Sequence, residues 1–150
     1  MAPPKTPFIY ILWHLYLEPI FALGGVYHLH WAPEEYFTFM PSTSAYTPTS
    51  QLVYDQLAAC YFFFAFIQGV LLRVVNDIKT WRWIVLGLML CDAGHCYAAW
   101  YEMGTEFVLS PWLWSQKDVV TNVLNVLPFT LRAMYLLGVG VPKTGAGKRS

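Results

Sequence analysis

Four long apolar runs, separated by short polar stretches, dominate the chain of 150 residues. They cover residues 7–31, 52–75, 81–103 and 119–141. Each run reaches the roughly 20 residues that an α-helix needs to cross a bilayer, and none alternates as a barrel strand does. Because lipid offers no hydrogen bonds to an open backbone, only helices or closed barrels span it. The pattern predicts an all-α, polytopic membrane protein, a single domain built as a four-transmembrane-helix bundle.

The composition supports the same class. The chain is 57% hydrophobic and 12% charged, against about 45–50% and 25% in soluble proteins. Its formal net charge is zero, so nothing suggests a nucleic-acid partner, and we expect a bilayer environment and no nucleic-acid partner. Cys60, Cys91 and Cys96 all fall inside apolar runs and imply no disulfide framework, so we interpret them as small buried side chains.

The basic residues between the runs predict the orientation. Lys117 is alone on one side, and seven basic residues lie on the side of the termini: Lys5, Arg73, Lys79, Arg82, Lys143, Lys148 and Arg149. The positive-inside rule therefore predicts that both termini are cytosolic. Residues 32–51, rich in Pro, Ser and Thr, should form an irregular cap on the opposite face. Residues 142–150 are expected to be a disordered tail.

Ionisable residues lie deep inside the first and third runs. His14 and Glu18 are four residues apart and share a helix face. Glu18 lies about 16 Å from the start of its run, and Asp92 lies at a similar depth, three residues before His95. A charge at membrane depth costs roughly 2.5–3.5 kcal/mol and normally faces the bundle interior. We predict that these four side chains form a catalytic cluster.

The fourth run adds a polar face formed by Asn122, Asn125 and Arg132. Two interpretations of Arg132 stay open: an ion pair with one carboxylate, or a side chain that extends to the membrane surface. In the first, a second buried carboxylate should hold a proton at neutral pH, because burial penalises the charged form. A neutral acid beside an ionised one is the arrangement that acid–base catalysis uses. Asp55 in the second run is a further candidate for substrate binding.

The third run also offers possible metal ligands. Cys91 and His95 are four residues apart, as are Asp92 and Cys96. The two pairs point about 100° apart around the helix, so a single ion could not take all four ligands. We expect no metal and no cofactor.

Short motifs in three runs resemble the EXPERA family, which includes sterol isomerases and the sigma-2 receptor. "WHLYLE" supplies His14 and Glu18 at the family's spacing. The third run supplies Asp92, Tyr97 and Glu102 in a similar order, and "TNVLNVLP" supplies asparagines ahead of a proline. The glutamate that the family's isomerases carry in the second run has no evident match here. The resemblance therefore points to a divergent branch.

The resemblance implies roles for these residues. Glu18 would transfer a proton with His14 as relay, and Asp92 and Glu102 would stabilise a carbocation or hold an amine. Asn122 would orient an acid. The resemblance also implies the endoplasmic reticulum as location. A homodimer is possible, for which the small residues "ALGG", 22–25, could allow close helix packing.

Three classes of function follow from these observations. The first is an intramembrane isomerase or cyclase that acts on a sterol-like or terpenoid-like substrate. The second is a non-catalytic membrane protein that binds a lipid or another lipophilic small molecule. The third is a structural subunit whose polar residues only join helices. The first is the expectation tested below, and the other two stay open.

Overall fold

The computed structural model describes residues 6–141. Its long helices are α1 (Phe8–Trp31), α2 (Pro48–Val74), α3 (Ile78–Met103) and α4 (Gln116–Leu136). Each is long and apolar enough to cross a membrane, and no strand occurs within the described range. The predicted all-α class and the predicted four long apolar helices are therefore confirmed. The tail 142–150 lies outside the described residues.

Helix α3 begins three residues earlier than predicted because the preceding residue caps it. Asp77 has an extended backbone, and its carboxylate accepts hydrogen bonds from the Thr80 hydroxyl at 2.6 Å and the Thr80 amide at 2.7 Å. Such side-chain caps satisfy amides that have no partner within the helix. The hydroxyl and amide of Thr80 also hold the pKa of the Asp77 carboxyl below its ordinary value.

The bounds predicted for the fourth helix, 119–141, are corrected at both ends. Ser115 forms a reciprocal capping box with Asp118, in which the hydroxyl donates to the carboxylate at 2.6 Å, so the helix starts at Gln116. It ends at Leu136, and the turn that follows contains Gly138 and Gly140 at φ of 80° and 70°. Residues without a side chain tolerate that left-handed backbone, which stops the helix.

Two segments of π-helix, Trp13–Leu17 in α1 and Ile67–Leu71 in α2, pack against each other. The first precedes Pro19, which has no amide hydrogen to donate to the carbonyl four residues earlier. That carbonyl, of Leu15, instead accepts a hydrogen bond of 2.7 Å from the Arg73 guanidinium. Irregular turns of this kind are frequent at functional sites.

The helices form two antiparallel pairs, α1 with α2 and α3 with α4. At the end that carries residues 6 and 141, which we call the termini end, the pairs meet around a tight core: Tyr10, Leu15, Leu72, Trp81, Val85 and Tyr135. Trp81 is fully buried, and its indole donates to the carbonyls of Leu72 and Val75 at 3.0 Å each. Farther from this core the pairs diverge, and close approaches between α1 and α4 are sparse.

A cap formed by residues 32–50 covers the opposite end, which we call the cap end. Ser42 donates to the Asp118 carboxylate through its amide at 2.9 Å and its hydroxyl at 3.1 Å. Thr121 of α4 donates to the Phe39 carbonyl at 2.7 Å. These bonds fasten the cap to α4, so the predicted irregular cap is present at one end of the bundle.

Candidate functional site

A cavity of about 570 Å³ lies between the two helix pairs. Its size falls in the range of ordinary small-molecule sites, about 300–1,000 Å³. All four long helices and the cap contribute to its wall, which is mainly apolar and aromatic. Its polar lining residues are Trp13, Glu18, His28, Tyr36, Tyr61, Gln68, Cys91, Asp92, His95, Thr121, Asn125 and Arg132.

Three charged residues from three helices meet at the end of the cavity nearest the packed core. The Arg132 guanidinium donates to Glu18 through one terminal nitrogen and to Asp92 through the other. Arg132 is 2% exposed, and each carboxylate side chain is 15% exposed. The cation is therefore enclosed, and both acids reach the cavity. Of the two interpretations of Arg132, the ion pair is the observed one, and it includes both carboxylates.

His14 also belongs to this charged cluster, through its contact with Glu18. It is fully buried, and its Nδ1 lies 3.4 Å from the Glu18 carboxylate, one helical turn away. One guanidinium against two carboxylates leaves a formal charge of minus one. An uncompensated charge is costly in a buried site. Neutrality requires one more proton, carried either by a carboxylate or by His14, so the cluster can store and exchange a proton.

His95 lies about one helical turn beyond Asp92 on α3 and lines the same cavity. Its Nδ1 lies 3.0 Å from the Cys91 carbonyl and 3.7 Å from the Cys91 sulfur. Its ring stacks on Tyr61 of α2, with ring centroids 6.4 Å apart and planes 26° from parallel. The stacked pair closes the gap between α2 and α3. Asn125, on the neighbouring helix α4, also lines the cavity.

The other side of the cavity, between α1 and α4, is open. Four of its lining residues are exposed on the outer surface of the bundle: Ile20 at 62%, Phe21 at 55%, Val123 at 52% and Leu124 at 46%. At Gly24, which also lines the cavity, an added Cβ would meet no atom within 4 Å. This gap, which we call the lateral opening, is bordered by apolar side chains on both edges.

Four predicted binding residues do not reach the cavity. Asn122 donates to the Asp118 carbonyl at 2.8 Å on its own helix, and Glu102 accepts from Ser44 of the cap at 3.3 Å. Asp55 pairs with His30 at 2.8 Å near the cap end. Tyr97 is 65% exposed, because two residues of helix turn it about 200° away from His95. Glu18, Asp92, His95, Asn125 and Arg132 line the cavity, and His14 supports them.

Sequence reasoning missed seven of the polar lining residues, among them Trp13 and Gln68 in the two π segments. Trp13 precedes Glu18 by five residues, which places the two on one face only where the helix has π geometry. Gln68 lies in the second π segment, is 1% exposed and interacts with the Glu18 carboxylate. A lone glutamine in the run "FFFAFIQGVLL" was the available signal. Gln68 lies in the second run, the one in which the glutamate of the EXPERA isomerases has no evident match here.

Two further predictions bear on this region. Ala22, Gly24 and Gly25 of "ALGG" line the cavity, and a Cβ on Gly25 would lie 2.6 Å from the Tyr61 ring. Gly25 therefore allows close packing of α1 against α2 within the chain, and the homodimer stays a prediction. Across residues 6–141, no group of three or more His, Cys, Asp or Glu side chains is placed to hold a metal ion.

The fold and site define an all-helical protein with four helices long enough to cross a membrane, and a cavity with an ion-paired cluster between them. The chain belongs to the DUF7704 family, described as a domain of unknown function, whose profile matches residues 5–142. No curated protein and no solved structure matches it. Family membership leaves the EXPERA resemblance as a prediction.

Proposed function

We propose that the protein is an integral, multi-pass membrane enzyme, an isomerase or cyclase of a sterol-like or terpenoid-like substrate. One observation carries this proposal. The Glu18–Arg132–Asp92 cluster forms part of the wall of a mainly apolar cavity that opens sideways between two membrane-length helices. A lipophilic substrate would enter from the bilayer through the lateral opening and meet both acids in a site with little water.

The proposed reaction needs no co-reactant. An acid of the cluster, Glu18 or Asp92, donates a proton to an olefin, and a new C–H bond forms beside a carbocation. The nearby carboxylates stabilise that cation, because their field is little screened in a dry cavity. Loss of a neighbouring proton to the carboxylate that donated the first one then forms a C=C bond at a new place and restores that acid. His14, whose Nδ1 lies 3.4 Å from the Glu18 carboxylate, relays protons to and from Glu18.

Solvent deuterium tests this reaction on a mixture of lipids, so the substrate need not be identified first. Membranes that contain the protein are incubated in D₂O with a neutral-lipid extract, and the lipids are analysed by mass spectrometry after exchangeable deuterium is washed out. We expect a neutral lipid to gain carbon-bound deuterium with the wild type. We expect no gain with Glu18→Gln or Asp92→Asn, which remove the acids but keep their shape.

Glu106→Gln is the matched control, because Glu106 is an exposed acid in the short helix Thr105–Val108 and does not line the cavity. It should behave like the wild type. If the wild type transfers no deuterium to carbon in any lipid of the extract, the enzymatic proposal is wrong.

The second candidate is a membrane protein that binds a lipid without changing it. The pairing of both carboxylates with Arg132 favours this candidate, because carboxylate oxygens that are bonded to the guanidinium are less available to react with a substrate. Lipid that co-purifies with the protein but gains no deuterium would establish it. The basic residues near the termini also support our proposal that both termini are cytosolic, and the endoplasmic reticulum is the compartment that we propose.

A further inference from the structure

We infer that the cavity selects a lipophilic molecule that carries a neutral hydroxyl group, and that His95 is the specificity-determining residue that accepts a hydrogen bond from it. This inference rests on the proposed binding of a lipophilic guest in the same cavity. It assigns the polar group of that guest and the place where it binds.

The tautomer of His95 follows from its contact with the backbone. A carbonyl oxygen only accepts hydrogen bonds, and the His95 Nδ1 lies 3.0 Å from the Cys91 carbonyl. Nδ1 must therefore carry the hydrogen, since two lone pairs would repel each other at that distance. In the neutral ring, Nε2 then presents a lone pair. Within residues 6–141 that nitrogen has no partner, so it is available to a donor in the cavity.

The neighbouring groups favour a hydroxyl over a cation or a hydrocarbon. Asp92, three residues before His95, bonds Arg132 through Oδ2, which leaves Oδ1 as a second acceptor at the cavity wall. Asn125, on the neighbouring helix α4, also lines the cavity and offers an amide that can donate. A hydroxyl donates one hydrogen bond and accepts another, so it can use an acceptor on α3 and the amide on α4. An ammonium group only donates hydrogen bonds, so it could not accept from Asn125.

The position of His95 also orients the guest. It lies about 4.5 Å farther from the packed core than Asp92, given the rise of an α-helix. A hydroxyl held there leaves the adjacent carbons within reach of the charged cluster. The rest of the molecule would extend along the apolar wall toward the lateral opening. Tyr61 keeps the imidazole in this orientation, because the two rings stack.

Three matched probes test the inference: farnesol, farnesyl methyl ether and farnesylamine. They share one isoprenoid chain and differ in the polar group at its end. The hydroxyl of farnesol donates and accepts hydrogen bonds, the ether oxygen only accepts them, and the ammonium group of farnesylamine is a cation that only donates them. Binding to the purified protein in nanodiscs is followed by quenching of tryptophan fluorescence. We expect farnesol to bind about five- to tenfold more tightly than the ether, the contribution of roughly one hydrogen bond. Farnesylamine should bind no more tightly than the ether.

Variants assign this preference to His95. His95→Phe, which keeps a flat ring, should reduce the ratio of farnesol to ether affinity to about one. His95→Gln, which restores an acceptor, should recover part of it and guards against a folding defect in His95→Phe. His30→Phe is the matched control, since His30 lies outside the cavity, and it should leave the ratio unchanged.

The outcomes separate this inference from the proposed function. If all three probes bind and the farnesol preference is absent, or persists in His95→Phe, the inference about His95 is wrong. The proposed lipophilic site would still stand. Tighter binding of farnesylamine that depends on Asp92 would also overturn it. If no probe binds, the proposed lipophilic site fails, and the inference fails with it. Leu124→Trp, which narrows the lateral opening, should weaken the binding of all three probes.

Discussion

The termini end and the cap end are built from the same four helices and similar side chains, and they differ in how the helix pairs meet. At the termini end the pairs meet through large, fully buried residues such as Trp81 and Tyr135. At the cap end each pair stays together, but the pairs diverge and leave the cavity between them. The charged cluster lies at the border of the two regions.

This border explains how the chain accommodates buried charges. The packed side fixes Arg132 and His14, which are 2% and 0% exposed. The hollow side leaves part of each carboxylate accessible. Buried ion pairs add little net stability, because desolvation offsets their attraction. Their position beside a hollow is more consistent with a role in binding or proton transfer than with a role in folding alone.

Loss of the central cation should have the largest effect on stability. Arg132→Met leaves two carboxylates facing each other, and we expect a loss of about 3–5 kcal/mol in the free energy of unfolding. Thermal unfolding in detergent measures it. Adding Glu18→Gln and Asp92→Asn to Arg132→Met should recover most of the stability, because no buried charge is then unpaired. If Arg132→Met alone were as stable as the wild type, the claim that the charged cluster is enclosed would be contradicted.

Large-to-small substitutions should distinguish the two ends directly. Trp81→Ala removes a fully buried side chain from the termini end and should cost about 3–5 kcal/mol. Leu124→Ala, at the lateral opening, should cost less than about 1 kcal/mol, because space already surrounds that side chain. The same thermal measurement compares them. Equal losses would mean that the cap end is packed as tightly as the termini end.

One buried carboxylate should contribute to holding the cap on the bundle. Asp118 is 0% exposed and accepts hydrogen bonds from Ser42 of the cap and from Ser115. Asp118→Ala leaves their donors without a partner, and we expect a loss of about 1–3 kcal/mol. Faster proteolysis within residues 32–50 would report release of the cap. Asp55→Ala is a control acid near the cap end, and it should leave the rate of cap proteolysis unchanged.

The smallest effect should be a pH dependence at the start of α3. The pKa of Asp77 is lower in the folded protein than its ordinary value of about 3.9. Its contribution to stability is therefore present above the ordinary pKa and is lost as the pH falls through the folded value. Asp77→Asn keeps a capping side chain but does not titrate. The melting temperature of the wild type should fall more than that of the variant below about pH 4; identical curves would exclude this role.

The apolar runs were sufficient to predict the fold class, because that class follows from the length and composition of the helices alone. The spacing also predicted His14 beside Glu18, since residues four apart share a helix face. Helix ends depended on local chemistry that the apolar pattern does not register, such as the Asp77 cap and Gly138. The cavity depended on how the pairs diverge, so spacing alone could not distinguish Asn125, which lines it, from Asn122, which bonds its own helix.

The central claim is that a lipophilic guest enters between α1 and α4 and binds beside the charged cluster. The most direct test is photolabelling of the membrane-embedded protein with a diazirine analogue of farnesol, followed by mapping of the labelled residues by mass spectrometry. We predict labels on enclosed cavity residues such as Leu88 and Cys91, and their loss in Leu124→Trp but not in Val126→Trp, a control on the outer face of α4. Labels spread evenly over the outer surface of the four helices, unchanged by Leu124→Trp, would contradict the claim.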